Sequence, residues 1–142
     1  KRRAVAAIHS GWRSTVLDIA GETVAAMVRE YGTGPADLIA AIGPSISAAN
    51  YRVGPEVVAQ FEAIFADTAG ILISPDEEGG ARLDVGEACR RQLIAAGIPA
   101  RQIERSDLCT YAEEPRLFSA RRAHHRGQSG VFGGQAGIIG LR

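Results

Sequence analysis

The sequence predicts a mixed fold of strands and helices, α/β or α+β in class, on three observations. Short apolar runs of strand length stand at residues 4–8 and 37–42. Apolar stripes at helical spacing run over residues 15–30, 55–65 and 84–96. Glycine and proline punctuate the changes from one period to the other.

Each element has its own local reason. The continuous run at 4–8 fits a buried strand, broken at Gly11. Thr15 and Asp18 have the spacing of a variant capping box, and Val16, Ala20, Val24, Met27 and Tyr31 recur on one helical face. Gly32, Gly34 and Pro35 end that helix. Residues 37–42 read as a second strand running into a loop at 43–45, and 51–53 as a short extended piece. Pro55 stands where a first helical position belongs, with Val57, Val58, Phe61, Ile64 and Phe65 along one face. Residues 69–74 suit a strand and 76–80 a polar loop. Asp84 is the expected N-cap of a helix carrying Val85, Cys89, Leu93 and Ala96, closed by Gly97 and Pro99. Residues 103–105 suit a strand, 106–115 a loop, and 117–119 another extended piece. Residues 121–130 read as a mobile, basic loop. Residues 131–141 are expected to form a final strand, weakened by four glycines.

Composition narrows the function. A chain of 142 residues is expected to form one domain with a real core. Sixteen basic residues balance sixteen acidic ones, which argues against nucleic-acid binding by bulk charge. No apolar run approaches the roughly 20 residues of a membrane helix, and none reads as a secretory leader. Two cysteines, Cys89 and Cys109, form no disulfide framework, so a cytoplasmic protein with reduced thiols is expected. An apolar strand at the very start suggests that further chain precedes it.

Chemically capable side chains concentrate at His9-Ser10-Gly11-Trp12-Arg13-Ser14. His9 at a strand end could be a metal ligand, an acid–base group or a hydrogen-bonded structural residue. Arg13 and the helix start beyond it could hold an anion such as phosphate, or Arg13 could pair with a carboxylate. Trp12 could pack in the core or stack on a ring. Ser45 follows a strand in Gly43-Pro44-Ser45, but no neighbouring base in sequence would activate it. Cys89 falls on an apolar helical stripe and is expected to be buried. Cys109, beside Thr110 and Tyr111, could be reactive. Arg121 or Arg122 could contact phosphate, whereas His124 and His125 are neighbours that seldom converge on one ion. Catalytic zinc takes three protein ligands, and no complete set is evident here.

The sequence resembles the bacterial laccase-domain family, known both as multicopper polyphenol oxidoreductases and as purine nucleoside phosphorylases. The matching motifs are His9-Ser10-Gly11-Trp12-Arg13-Ser14, Ala41-Ile42-Gly43-Pro44-Ser45-Ile46, Tyr51-Arg52-Val53-Gly54, Leu108-Cys109-Thr110-Tyr111, and Leu117-Phe118-Ser119 before Arg121-Arg122. They keep the family's order across nearly the whole chain. The resemblance implies an α+β fold of layered α/β/β/α type, like the cytotoxic necrotizing factors. It implies zinc held by two histidines and a cysteine, with His9 matching the last ligand. The other two lie upstream in family members and have no counterpart here, so residues 1–142 correspond to the C-terminal portion of one laccase-like domain. The implied activity is phosphorolysis of adenosine, inosine or methylthioadenosine, with adenosine deamination in some members. Trp12, Arg13, Ser45 and Arg121 are the expected contacts to nucleoside and phosphate. Ala120 and Ala123 depart from the family pattern, and residues 124–134 are longer than usual. On this reading the 142-residue chain alone is expected to be inactive. Two rivals differ in class: a copper-dependent oxidase of phenols, and a non-catalytic remnant that kept only the scaffold.

Overall fold

The structure, a computed structural model, describes residues 4–130 and 133–141. Five helices and five strands are formed among them: α1 (Trp12–Val16), α2 (Ile19–Tyr31), β1 (Ala40–Ile42), β2 (Arg52–Val53), α3 (Pro55–Ile64), β3 (Leu72–Ile73), β4 (Ala81–Leu83), α4 (Val85–Ala95), β5 (Ile103–Arg105) and α5 (Ala120–His125). β1 and β5 pair in parallel, with Ala40 opposite Ile103. The order β2-β4-β3 makes a separate antiparallel sheet. The class is α+β.

The core lies between the antiparallel sheet and helices α3 and α4. Val53, Val57, Phe61, Ile71, Leu83, Val85, Ala88 and Cys89 form one buried cluster, and Trp12, Val16, Ile42 and Tyr51 pack on its margin. Helix α2 buries Ala20, Val24 and Met27 of the stripe its periodicity predicts, whereas Tyr31 is exposed and Val16 belongs to α1. Asp84 caps α4 by accepting from the Glu87 N–H at 2.9 Å. The same carboxylate takes the Arg105 Nη2 at 2.6 and 2.9 Å, which ties the end of β5 to the start of α4.

Four sequence expectations are overturned. Residues 4–8 form no strand and lie largely exposed, because no described strand offers them a ladder. The helix expected over 15–30 is two helices. Asp18 adopts a left-handed φ of 53° and accepts from the Gly21 N–H, so it caps α2 instead of closing a box with Thr15. Thr15 itself is buried inside α1. The expected basic loop holds helix α5, capped by the Ser119 hydroxyl. The final strand is also not formed: residues 133–141 are exposed and irregular, while Val131 and Phe132 lie outside the described residues. Residues 117–119 pair with no strand, and β4, which the sequence reading passed over, is the central strand of its sheet. No described helix is long and apolar enough to cross a membrane.

The loop between β3 and β4 turns on Asp76. Its Oδ1 accepts from the N–H groups of Gly80 at 2.9 Å and Glu78 at 3.1 Å, and its Oδ2 accepts from Arg52 Nε at 2.8 Å. Gly80 is buried there, and a Cβ on it would stand 2.7 Å from the Val53 carbonyl oxygen. Backbone cannot yield as a flexible side chain does. The substitution Gly80→Ala is therefore expected to destabilise the protein by about 1–3 kcal/mol, read as a lowered urea midpoint. An unchanged midpoint would contradict the close approach.

Candidate functional site

The His9–Ser14 motif is held from beneath by a buried hydroxyl chain. Cys89 Sγ lies 3.1 Å from Ser10 Oγ, Ser10 Oγ lies 2.9 Å from Thr15 Oγ1, and Thr15 donates to the Gly11 carbonyl at 3.0 Å. Gln92 Nε2 donates to the Thr15 carbonyl at 2.6 Å. Helix α4 thus fixes where the motif sits. Cys89 is buried, as its place on the stripe predicts, and both cysteines are free.

His9 is exposed above this anchor, its Nε2 3.5 Å from where a Cβ on Gly11 would stand. Among the described residues, no group of three or more histidine, cysteine or acidic side chains could hold a metal ion. His9 offers a single nitrogen, so the described residues do not by themselves make a zinc site. His124 and His125 do not converge on it: His124 Nδ1 bonds Ser129 Oγ at 2.8 Å and His125 Nδ1 bonds the Tyr111 hydroxyl at 3.0 Å.

The arginines are arranged more tellingly. Arg13 is exposed, with its guanidinium 4.4 Å from the Trp12 ring centroid, and pairs with no carboxylate among the described residues. Trp12 also packs on the core margin, the first of its two expected roles. Arg121, from α5, lies 4.8 Å over the Tyr51 ring and donates to the Arg52 carbonyl at 2.9 Å. Burial pushes the Tyr51 hydroxyl up, while the charges of Arg121 and Arg13 pull it down. Arg121 thus stacks on this ring, and the charge of Arg13 in the first motif is felt there as well. Arg122 faces elsewhere. Its guanidinium donates to the carbonyls of Thr110, Tyr111 and Leu117 at 2.6–2.7 Å, which is a structural duty. The anion site expected at a helix start is not built as foreseen, because α1 is only five residues long and α2 begins on the Asp18 carboxylate.

Ser45 serves the backbone. It bridges in parallel to Cys109, and its carbonyl accepts from the Thr110 N–H at 3.0 Å, continuing the β1–β5 alignment. Cys109 receives the Ser47 N–H at 3.3 Å, the Ser47 hydroxyl at 3.2 Å and the Asn50 amide at 3.5 Å. Sequence inspection had no way to find this, because the donors lie about sixty residues away along the chain. Partial burial alone would push the thiol up. The Ser47 hydroxyl and N–H, with the N–H groups of Ala112 and Tyr111, outweigh it and bring the thiol from 9.0 down to about 7.

Alkylation of Cys109 by iodoacetamide is expected to rise with a midpoint near pH 7. A folded-state value below the unfolded one also means that this thiol favours the folded state increasingly as pH rises from 7 towards 9. Ser47→Ala removes the largest lowering contact and is expected to move the midpoint upward. A midpoint unmoved by Ser47→Ala would contradict the assignment.

The family profile described as "Multi-copper polyphenol oxidoreductase laccase" matches residues 1–142. A purine nucleoside phosphorylase from Bacteroides thetaiotaomicron is 44% identical over 122 residues, covering 86% of this chain and 45% of that protein. An adenosine deaminase, RL5, from an unknown prokaryotic organism is 41% identical over 119 residues, covering 83% and 45%. The crystal structure of the Bacillus licheniformis hypothetical protein YfiH superposes with a TM-score of 0.78 at 38% identity, over 86% of this chain and 45% of that one. The chain thus spans about half the length of the relatives it matches. Matched by the profile from end to end, and similar in sequence and fold to such relatives, the chain belongs to the multicopper polyphenol oxidoreductase laccase family.

Proposed function

We propose that the protein containing this chain is a cytoplasmic, zinc-dependent purine nucleoside phosphorylase acting on adenosine, inosine or methylthioadenosine. Adenosine deamination is the accompanying activity. The observation that carries this is the stacking of two guanidiniums without carboxylate partners among the described residues, Arg13 on Trp12 and Arg121 on Tyr51, in a chain whose relatives are named purine nucleoside phosphorylases. In phosphorolysis a phosphate oxygen forms a bond to C1′ of the sugar while the bond from C1′ to the purine nitrogen breaks. The base leaves with that electron pair and takes up a proton. Two unpaired guanidiniums suit the binding of an anionic nucleophile beside a flat aromatic surface, and Trp12 and Tyr51 supply such surfaces for the purine.

His9 is one ligand of the proposed zinc, and the rest of the set comes from chain outside these residues. Ser45 supports the site as a backbone partner of the Cys109 loop. A copper-dependent oxidase of phenols, the activity in the family profile's description, would need still more ligands from elsewhere.

The natural protein is expected to release free base from inosine or adenosine only when phosphate is present. His9→Ala is expected to abolish stoichiometric zinc and to lower phosphorolysis by roughly two orders of magnitude. Unchanged zinc content and unchanged base release in that variant would overturn the proposal. Oxygen uptake on a phenol after copper loading, surviving loss of zinc, would favour the oxidase instead.

A further inference from the structure

Arg52 and Arg82 stand directly opposite each other on neighbouring antiparallel strands, β2 and β4. Both side chains are on the exposed face of the sheet, where Val53, Ala81 and Leu83 turn inward. Like charges in direct cross-strand register destabilise a sheet. A third guanidinium, Arg121, is brought to the same place by its bond to the Arg52 carbonyl. The three line an open cleft of about 410 Å³ with Asn50, Tyr111 and His125.

The partners of these groups differ, and the difference is informative. Arg52 is neutralised, with Nε on Asp76 and Nη2 on Glu78. Arg82 donates Nη1 to the Ala49 carbonyl, and Arg121 donates Nη1 to the Arg52 carbonyl. Neither of them has a carboxylate partner among the described residues, and their remaining N–H groups are free of described acceptors. Backbone carbonyls orient both forks without cancelling their charge. Across the floor, Tyr111 and His125 meet edge to face with centroids 5.6 Å apart, leaving the His125 Nε2 open.

We propose that this cleft binds the phosphate group of a small anionic ligand, with Arg82 and Arg121 as the two charged forks. The geometry suits a dianion, since two planar guanidiniums can each offer paired N–H groups to phosphate oxygens. The volume exceeds a bare phosphate ion, and the Tyr111–His125 wall offers a surface to an attached sugar or ring. The site does not depend on the phosphorylase reading. It stands on residues that reading leaves idle, Arg52, Arg82, Tyr111 and His125, and it shares only Arg121 with it.

The test reads binding without turnover, and Arg82, which the phosphorylase reading does not use, separates the two: a failure at Arg82 alone leaves that reading standing. The natural protein, prepared free of phosphate and sulfate, is titrated calorimetrically with inorganic phosphate, ribose 5-phosphate and adenosine 5′-monophosphate. Saturable binding of at least one is expected. Arg82→Gln and Arg121→Gln are each expected to weaken it about tenfold, whereas Arg101→Gln, on an exposed turn outside the cleft, leaves it unchanged. Arg82→Lys keeps the charge without the fork and is expected to retain part of the affinity. Tighter binding of either monoester would assign the ligand to that class, and equal binding of all three to the free ion. Both rankings support the site. Wild-type affinity for every probe in Arg82→Gln would overturn it even where Arg121→Gln weakens binding, as would absence of saturable binding for all three probes.

Discussion

The hydrogen-bond chain from Cys89 through Ser10 and Thr15 to the Gly11 carbonyl is the constraint on which the rest of the site rests. Thr15 is completely buried, and a buried hydroxyl without partners is costly. Its position relative to helix α4 is therefore narrowly set. α1 is short and a left-handed Asp18 separates it from α2, so the two helices do not run on as one, and the hydrogen bonds to α4 fix the motif. His9, Trp12 and Arg13 inherit that placement. The side chains with functional chemistry are exposed, and the ones that place them are small, polar and hidden.

Around this anchor the protein arranges cations by two different means. Where an arginine serves the scaffold, its charge or its donors are spent locally. Arg105 meets Asp84, Arg122 meets three loop carbonyls, and Arg52 meets Asp76 and Glu78. Where an arginine faces open space, it is steered by an aromatic face or a carbonyl. Arg13 lies over Trp12, and Arg121 over Tyr51. Stacking and carbonyl contacts fix direction while leaving the field of the cation intact. That contrast separates Arg121 from Arg122, which adjacency in sequence could not do.

Much of the fold was legible because its signals are local. The stripes of α3 and α4, the Pro55 start, the Asp84 cap and the Gly32 stop each depend on a few consecutive residues, and the structure has them, although Ile64 of the α3 stripe is exposed. What could not be read depended on partners distant in sequence. Residues 4–8 and 133–141 have strand-like composition, but a strand exists only when another strand accepts its hydrogen bonds. Helix α5 was hidden by a polar composition that Ser119 caps and Arg122 fastens. In the site, the His9–Ser14 motif stood out by its residue types. The depression of the Cys109 thiol and the Arg52–Arg82 register did not, since each arises from pairing across the fold.

The parallel pair of β1 and β5 has a consequence for how the chain assembles. Its partners, such as Ala40 and Ile103, are separated by the whole of α3, the antiparallel sheet and α4. Closing so long a loop is entropically costly while the intervening chain is disordered, and far less so once that chain has condensed. The cluster from Val53 to Cys89 is built within that interval from comparatively local contacts. The order of events favoured by topology is therefore inside out: the middle of the chain collapses first, and the β1–β5 seam closes over it. The two loops that carry Ser45 and Cys109 extend that seam, so in this order the thiol meets its donors only as the seam closes.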